Sequence, residues 1–215
     1  QRSRRQVESI TKKIGLDRLI SITGSPLATG FKAATAAWFI QEKSSLWWRT
    51  KYVLLPKDEL RRRLTGERAT DPGDGSGTLL LDVRWRNWSP EMLEATGIAS
   101  DRLPPVTEST SVAGTLRSAS AEALSLTAGI PVVVGTGDAA SGLLGSGTID
   151  PARMLLSLST GAQVMVAATG VHPDPFGRTH TFCSALEPSA TTPGWYTMGA
   201  TLVAGMALKW LRDEM

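Results

Sequence analysis

The sequence predicts a mixed α/β fold, because helical and strand-like patterns alternate along the chain. Val7, Ile10 and Ile14 recur at helical spacing, and Gly15 follows them where a helix would end. Residues 130–134 form an apolar, β-branched run, which is typical of a strand buried on both faces. With 215 residues and 41% hydrophobic side chains, the chain can form one large domain or two small ones.

The first half of the chain is predicted to be mainly helical. Apolar periodicity indicates helices over residues 4–14, 33–43 and 57–64, the last ended by Gly66. Residues 51–55 and 78–83 have the composition of strands.

Turn-forming residues divide these segments. Residues 71–77 are rich in Gly, Asp and Pro, which predicts a loop. Ser89 followed by Pro90 is a typical helix start, and Gly97 is placed to end that helix. Leu103-Pro-Pro105 predicts a rigid connector.

The second half is predicted to contain two β-hairpins. After a helix near residues 119–126 and the strand at 130–134, residues 154–168 read as two strands joined by the turn Ser159-Thr160-Gly161. A second hairpin is predicted from residues 179–185 and 195–198, followed by a helix over residues 202–211.

Composition excludes several classes of protein. A net charge of +3 without a basic stripe interleaved with aromatic residues argues against a nucleic-acid binder. No run approaches the roughly 18 apolar residues of a membrane span, so a cytoplasmic protein without a membrane partner is expected. The single Cys183 cannot form an internal disulfide, and no Cys and His spacing indicates zinc, so no structural metal is expected.

The first candidate for chemistry is Asp138. It follows the strand at 130–134 and the turn Gly135-Thr-Gly137, and it precedes an apolar helical segment. This order places its carboxylate at a helix N-terminus, where the helix dipole keeps it charged. The alternative interpretation is an ordinary N-cap aspartate, which stabilises a helix by about 1 kcal/mol.

The second candidate is the turn Ser159-Thr160-Gly161. Its backbone N–H groups and hydroxyls could hold phosphate oxygens. The alternative is a hairpin turn with no ligand.

Several segments, in order, resemble the FGGY family of carbohydrate kinases, and within it the xylulokinases. Residues 130–140 and then 150–162 are similar to the family's strand, Gly-rich turn, catalytic Asp and phosphate loop. The other similar segments are Leu54-Leu-Pro-Lys-Asp58, Leu64-Thr-Gly-Glu67 to Asp71, Ser76-Gly-Thr78, Asp82-Val-Arg84, Trp88-Ser89, Leu103-Pro-Pro105, Glu108-Ser-Thr110, Gly114-Thr-Leu116, His180-Thr-Phe-Cys183, Gly194-Trp195 and Met198-Gly199.

The resemblance implies an actin-like, ribonuclease H-like ATPase fold, in which two α/β domains enclose a cleft. It implies that residues 1–148 are the later part of the first, sugar-binding domain and residues 149–215 the start of the second, ATP-binding domain. The implied reaction is phosphorylation of a sugar hydroxyl, nearest D-xylulose to D-xylulose 5-phosphate, with ATP and Mg²⁺. The implied partners are the sugar and ATP, and a homodimer is compatible with the class.

By motif matching, Asp138 would be the general base, and Asp138 with Ala139 would contact the sugar. Ser159, Thr160 and Gly161 would contact the phosphates of ATP. The chain departs from the family at Ala139, where xylulokinases usually have Asn, and at Ala34 and Thr35, where Pro and Lys are expected. The phosphate turn reads Ser-Thr-Gly rather than Gly-Thr-Ser. No Asp-Gly-Thr phosphate loop is found, so we expect an incomplete, inactive piece.

Three other functions stay open. The substrate could be another sugar or polyol, such as gluconate or ribulose, or the protein could be a non-catalytic actin-like remnant. A dinucleotide-binding oxidoreductase is the third, because Gly135, Gly137 and Ala140 fit the looser fingerprint of that fold. The acidic residue expected about 20 positions later is missing, which argues against this third function.

Overall fold

Ten α-helices and eight β-strands lie within residues 2–215, the part of the chain that the structure, a computed structural model, describes. The helices are α1 Arg4–Ile14, α2 Leu16–Thr23, α3 Lys32–Glu42, α4 Ser44–Arg49, α5 Pro56–Thr65, α6 Pro72–Ser76, α7 Pro90–Thr96, α8 Ser118–Leu124, α9 Asp138–Gly145 and α10 Gly205–Glu214. The strands are β1 Leu81–Asp82, β2 Asn87–Trp88, β3 Val112–Thr115, β4 Pro131–Val133, β5 Met154–Leu158, β6 Ala162–Ala168, β7 His180–Cys183 and β8 Trp195–Thr201.

The predicted helix ends are confirmed where capping residues mark them. Ser89 Oγ accepts the Met92 N–H at 3.3 Å at the start of α7, and Gly97 ends that helix in the left-handed conformation with φ +77°. Gly66 ends α5 in the same way, with φ +89°. Local chemistry was therefore sufficient to place these helices.

The predicted loop at residues 71–77 is wrong in part, because residues 72–76 form the short helix α6. Asp71 caps it by accepting the Asp74 N–H at 3.2 Å. Gly73 and Gly75 are poor helix formers. The helix forms because Asp71 is fully buried and its carboxylate is held from several sides.

Both predicted hairpins are confirmed, and they form one antiparallel sheet in the order β5-β6-β8-β7. Leu158 pairs with Ala162 across the turn of the first hairpin, and Cys183 pairs with Trp195 in the second. The central pairing is between β6 and β8, from Ala162↔Thr201 to Ala168↔Trp195.

Three strand predictions fail wholly or in part. Of residues 78–83, only Leu81–Asp82 form a strand, β1. Residues 51–55 belong to no strand, although the Val53 N–H donates to the Arg102 carbonyl at 2.8 Å. The run at 130–134 gives only the short β4, in which Val133 is 51% exposed. Two-face burial fails: β4 lies in a two-stranded sheet with β3, and the face on which Val133 lies is not covered by the described part of the chain.

The main core joins the helices to the four-stranded sheet. Leu19 and Ile22 of α2 and Met92 of α7 are almost fully buried in it. Phe182 and Tyr196 bring strands β7 and β8 into the same cluster. The sheet face that carries these residues is thereby fixed against the helical part of the chain.

Within the described residues, no helix has both the length and the apolar character needed to span a membrane.

Candidate functional site

The segment that leads to Asp138 is a tight turn between β4 and α9. Gly135 has φ +73°, a conformation that favours glycine, and Gly137 is the residue that caps α9. Asp138 is the first residue of the helix; its side chain is exposed, and Oδ1 accepts the Ala139 N–H at 2.8 Å. The interpretation of Asp138 as an N-cap is therefore wrong, while its predicted place at a helix N-terminus is confirmed.

Asp138 lies on the wall of a cleft of about 170 Å³. One wall consists of Gly137, Asp138, Ala139 and Ala140 from the α9 turn, together with Gly73, Asp74 and Gly77 from the α6 region. The other wall is the four-stranded sheet, which contributes Gln163, Phe182, Tyr196 and Met198. The structure thus brings the predicted residues Asp138 and Ala139 into one cavity with Asp74 and with residues of the four-stranded sheet.

A buried arginine fixes the start of the turn. Arg61 Nη1 donates to the Val134 carbonyl oxygen at 2.5 Å, and Nη2 donates to the Ala69 carbonyl oxygen. Nη2 also lies 3.1 Å from Asp58 Oδ1, and the Arg61 side chain is only 4% exposed. The end of the strand that precedes Asp138 is therefore attached to α5 by a charge-assisted contact.

A second buried ion pair supports α6. Lys57 Nζ lies 2.7 Å from Asp58 Oδ1 and 2.8 Å from Asp71 Oδ1. Asp71 Oδ1 makes no hydrogen bond of good geometry, so this contact is an ion pair only. Asp71 Oδ2 accepts the Ser109 hydroxyl at 3.0 Å. These contacts hold the N-terminus of α6 rigidly beside the cleft.

Asp74 lies within residues 71–77, which the sequence predicted to be a loop, and the structure places it in the wall of the cleft. Its side chain is 28% exposed and lines the cleft, with Oδ2 3.8 Å from Lys57 Nζ. The pKa of Asp74 is raised to about 6, mainly by burial; Lys57 opposes the rise, and the charges of Asp71, Asp58 and Asp138 contribute to it. The sequence carries no signal that distinguishes Asp74 from a solvated turn aspartate, because the packing of α6 beside Thr136 and Gly137 places it in the cleft.

The turn Ser159-Thr160-Gly161 does not line the cleft, although Gln163, two residues later on β6, does. The Ser159 N–H donates to the Gly161 carbonyl at 2.8 Å, so it is not available to a phosphate. The carbonyls of Ser159 and Thr160 accept the Gly205 and Met206 N–H groups at 3.0 and 3.3 Å, which ties the turn to the start of α10. The exposed hydroxyls of Ser159 and Thr160 are the groups that the turn presents to solvent.

A larger cavity, of about 380 Å³, lies elsewhere and is lined by Arg2, Ser3, Thr29, Gly30, Thr35 and Trp38. Its described lining has no carboxylate or imidazole. The Arg2 guanidinium lies 5.9 Å from the centre of the Trp38 ring. The smaller cleft is the better candidate because it holds two acids, one of them with a perturbed pKa.

Metal-binding groups are not clustered in the part of the chain that the structure describes: no three His, Cys, Asp or Glu side chains meet as metal ligands. Beside Asp71, the ammonium group of Lys57 occupies the position that a metal ion would take. These residues therefore do not form a metal site of their own.

Comparison with known proteins identifies the family of the chain. Residues 1–145 match the N-terminal domain of the FGGY family of carbohydrate kinases. The xylulose kinase of Escherichia coli strain K12 is 36% identical over 189 residues, which are 88% of this chain and 38% of that protein. An autoinducer-2 kinase of Escherichia coli (strain ATCC 8739) is 33% identical over 191 residues, 86% of this chain and 35% of that protein.

A solved structure shows the same backbone arrangement. The crystal structure of a xyloylose kinase from Brucella ovis superposes with a TM-score of 0.87 at 35% identity, over 98% of this chain and 42% of that chain. The fold is therefore the actin-like, ribonuclease H-like ATPase fold, present here in part.

The fold defines an actin-like protein of the sugar kinase type. The chain belongs to the FGGY family of carbohydrate kinases. It spans about two fifths of the length of the curated relative from Escherichia coli.

Proposed function

We propose that the whole protein is an ATP-dependent carbohydrate kinase that phosphorylates a sugar hydroxyl, with D-xylulose as substrate and Asp138 as general base. The observation that carries the proposal is the exposed Asp138 carboxylate at the start of α9, on the wall of a cleft. The xylulose kinases among the relatives support the choice of sugar.

In this proposal, Asp138 accepts the proton of the attacking sugar hydroxyl. The hydroxyl oxygen forms a bond to the γ-phosphorus of ATP while the bond to the β,γ-bridging oxygen breaks, and ADP leaves with that oxygen. Phosphoryl transfer has a loose transition state, so the protein acts mainly by positioning the reactants and stabilising charge. The attachment of the turn to Arg61 through Val134 gives Asp138 a fixed position.

ATP and Mg²⁺ are the cofactors of the proposal. The hydroxyls of Ser159 and Thr160 are the groups at the turn that would contact phosphate, and Gly161 allows the turn to form. Because the described residues do not form a metal site, we place Mg²⁺ on the phosphates of ATP, where it commonly binds.

The domain boundary also belongs to the proposal. We place it between residues 148 and 149, which is supported by the match of the N-terminal domain to residues 1–145. A cytoplasmic location and a homodimer are consistent with the proposed class. The 215 residues alone are expected to be inactive, because phosphoryl transfer needs base, nucleotide and metal aligned together.

The test is Asp138→Asn in the whole protein, with Asp150→Asn as the matched control. Both carboxylates are exposed, and each accepts one local backbone N–H, at 2.8 and 2.9 Å. Asp138→Asn should lower kcat for D-xylulose by about 10² to 10⁴, as expected for a positioned base. ATP binding should be unchanged. If both variants retain the kcat of the unmodified protein, Asp138 is not the base.

The sugar is tested by Ala139→Asn. Ala139 lines the cleft beside Asp138, and an amide there would add a hydrogen bond to a sugar hydroxyl. One hydrogen bond is worth about 0.5 to 1.5 kcal/mol, so kcat/KM for D-xylulose should rise about three- to tenfold relative to other ketoses. The same panel should include autoinducer-2, since one relative is an autoinducer-2 kinase. If kcat/KM for each ketose is the same in the variant as in the unmodified protein, residue 139 does not contact the sugar.

A further inference from the structure

The charges around α5 and α6 leave one carboxylate without a cation of its own. Lys57 and Arg61 contact the two fully buried acids, Asp58 and Asp71, at 2.7 to 3.1 Å. Asp74 is a third acid, and its nearest cation is the same Lys57, at 3.8 Å. Two positive charges therefore face three carboxylates. The excess negative charge is that of Asp74, which lies at the cleft.

The cleft adds a fourth carboxylate and no compensating charge. Asp138 lines the same wall, and its charge is among the causes that raise the pKa of Asp74. No Lys, Arg or His occurs among the described residues that line the cleft. The wall built by this chain is therefore rich in hydrogen-bond acceptors and negative in charge.

Asp74 is positioned to act together with Asp138. A Cβ atom on Gly137 would lie 3.3 Å from Asp74 Oδ1, so this carboxyl group packs against the residue directly before Asp138. On the other side, a Cβ on Gly73 would clash with Thr136 Oγ1, so α6 packs against the same turn without a gap. The two acids thus lie on segments that pack directly against each other.

We propose that Asp74 is a specificity-determining residue of the cleft, which hydrogen-bonds a hydroxyl group of an uncharged polyhydroxy substrate and disfavours substrates that carry a carboxylate. This inference rests on the proposed kinase function. A neutral sugar offers hydroxyl donors to both carboxylates. A sugar acid would place a third negative charge beside them, with no Lys, Arg or His among the described residues that line the cleft, and such like-charge contacts discriminate strongly between ligands.

The first experiment compares Asp74→Asn with Asp101→Asn in the whole protein, since Asp101 is an exposed aspartate outside the cleft. kcat/KM is measured for D-xylulose and for D-gluconate. Asp74→Asn should lower kcat/KM for D-xylulose about three- to tenfold, mainly through KM. The ratio of kcat/KM for D-xylulose to kcat/KM for D-gluconate should fall by more than three- to tenfold, because the substitution also removes a charge that repels the gluconate carboxylate. Asp101→Asn should change neither kcat/KM for D-xylulose nor its ratio to kcat/KM for D-gluconate.

The second experiment needs no variant. D-Gluconate is tested as a competitive inhibitor of D-xylulose phosphorylation between pH 5 and pH 8. Protonation of Asp74, whose pKa is about 6, removes a negative charge while gluconate stays ionised, so the inhibition constant should fall several-fold as the pH drops through about 6. The groups that set this pKa are Lys57, Asp58, Asp71 and Asp138.

The outcomes separate the two proposals. An unchanged D-xylulose to D-gluconate ratio in Asp74→Asn, or a pH-independent inhibition constant, would overturn the inference about Asp74. If Asp138→Asn still abolished turnover, the kinase proposal would stand even though the inference about Asp74 had failed. If the unmodified protein phosphorylated no sugar, the kinase proposal would fail and this inference with it.

Discussion

Arg86 Nη1 donates to the Gly194 carbonyl oxygen at 2.6 Å and so connects the turn after β1 with the residue before β8. The same guanidinium lies 2.6 Å from Glu108 Oε2, and its side chain is 8% exposed. One buried arginine thus satisfies backbone and carboxylate groups from segments about a hundred residues apart in sequence.

Arg86→Met should destabilise the protein by about 3 to 5 kcal/mol, the usual cost of removing one partner of a buried ion pair. Arg84→Met is the control, because Arg84 is exposed. The free energy of unfolding is measured in urea for both variants. Equal stability of the two variants would mean that the contact between Arg86 and Gly194 contributes little.

Gly161→Ala should distort the turn between β5 and β6. A Cβ at this position would clash with the carbonyl oxygen of Thr201 on the neighbouring strand, and overpacking of this kind costs about 1 to 3 kcal/mol. Gly199→Ala is the matched control on the same sheet, because a Cβ there meets no atom within 4 Å. Thermal unfolding and the KM for ATP are measured for both. The steric explanation would be contradicted if Gly199→Ala lowered the thermal stability as much as Gly161→Ala does.

Asp74→Asn should make the protein more stable at neutral pH. Burial raises the pKa of Asp74 from 3.8 to about 6, so between these values the folded state binds more protons than the unfolded state and stability falls as the pH rises. Above about pH 6 Asp74 is ionised in the folded state, and the full destabilisation caused by its burial is present. A shift of about two pKa units corresponds to at most about 3 kcal/mol.

The measurement is the melting temperature of both proteins from pH 3.5 to pH 8. The variant should exceed the unmodified protein above about pH 6, and the difference should vanish near pH 4. A constant difference across this range would show that packing, rather than ionisation, separates them.

Cys183 should not react with thiol reagents in the folded protein. The residue is fully buried, and burial raises the pKa of its thiol to about 12, so almost no thiolate is present at neutral pH. Titration with a chromogenic disulfide should show no reaction in buffer and one thiol per chain in denaturant. Rapid reaction in buffer would mean that β7 opens readily.

Periodicity and capping in the sequence determined most of the local structure. The helices with clear ends, such as α5 and α7, follow from Pro at the start and Gly at the end, and the hairpin of β5 and β6 follows from apolar strands around a short turn. The place of Asp138 at the start of a helix was also determined locally, because a strand, two glycines and a helical segment surround it.

Tertiary structure alone decided which residues share the cleft with Asp138. Asp74 is 64 positions away in sequence, and only the packing of α6 against the turn at Thr136 and Gly137 brings its carboxylate there. The helix α6 is itself a tertiary effect, since its glycines disfavour a helix and the buried contacts of Asp71 with Lys57 and Ser109 hold it. Burial also depends on which segments pack against a strand: β4 has the composition of a buried strand, yet Val133 is exposed because nothing in the described part of the chain covers its face of the sheet.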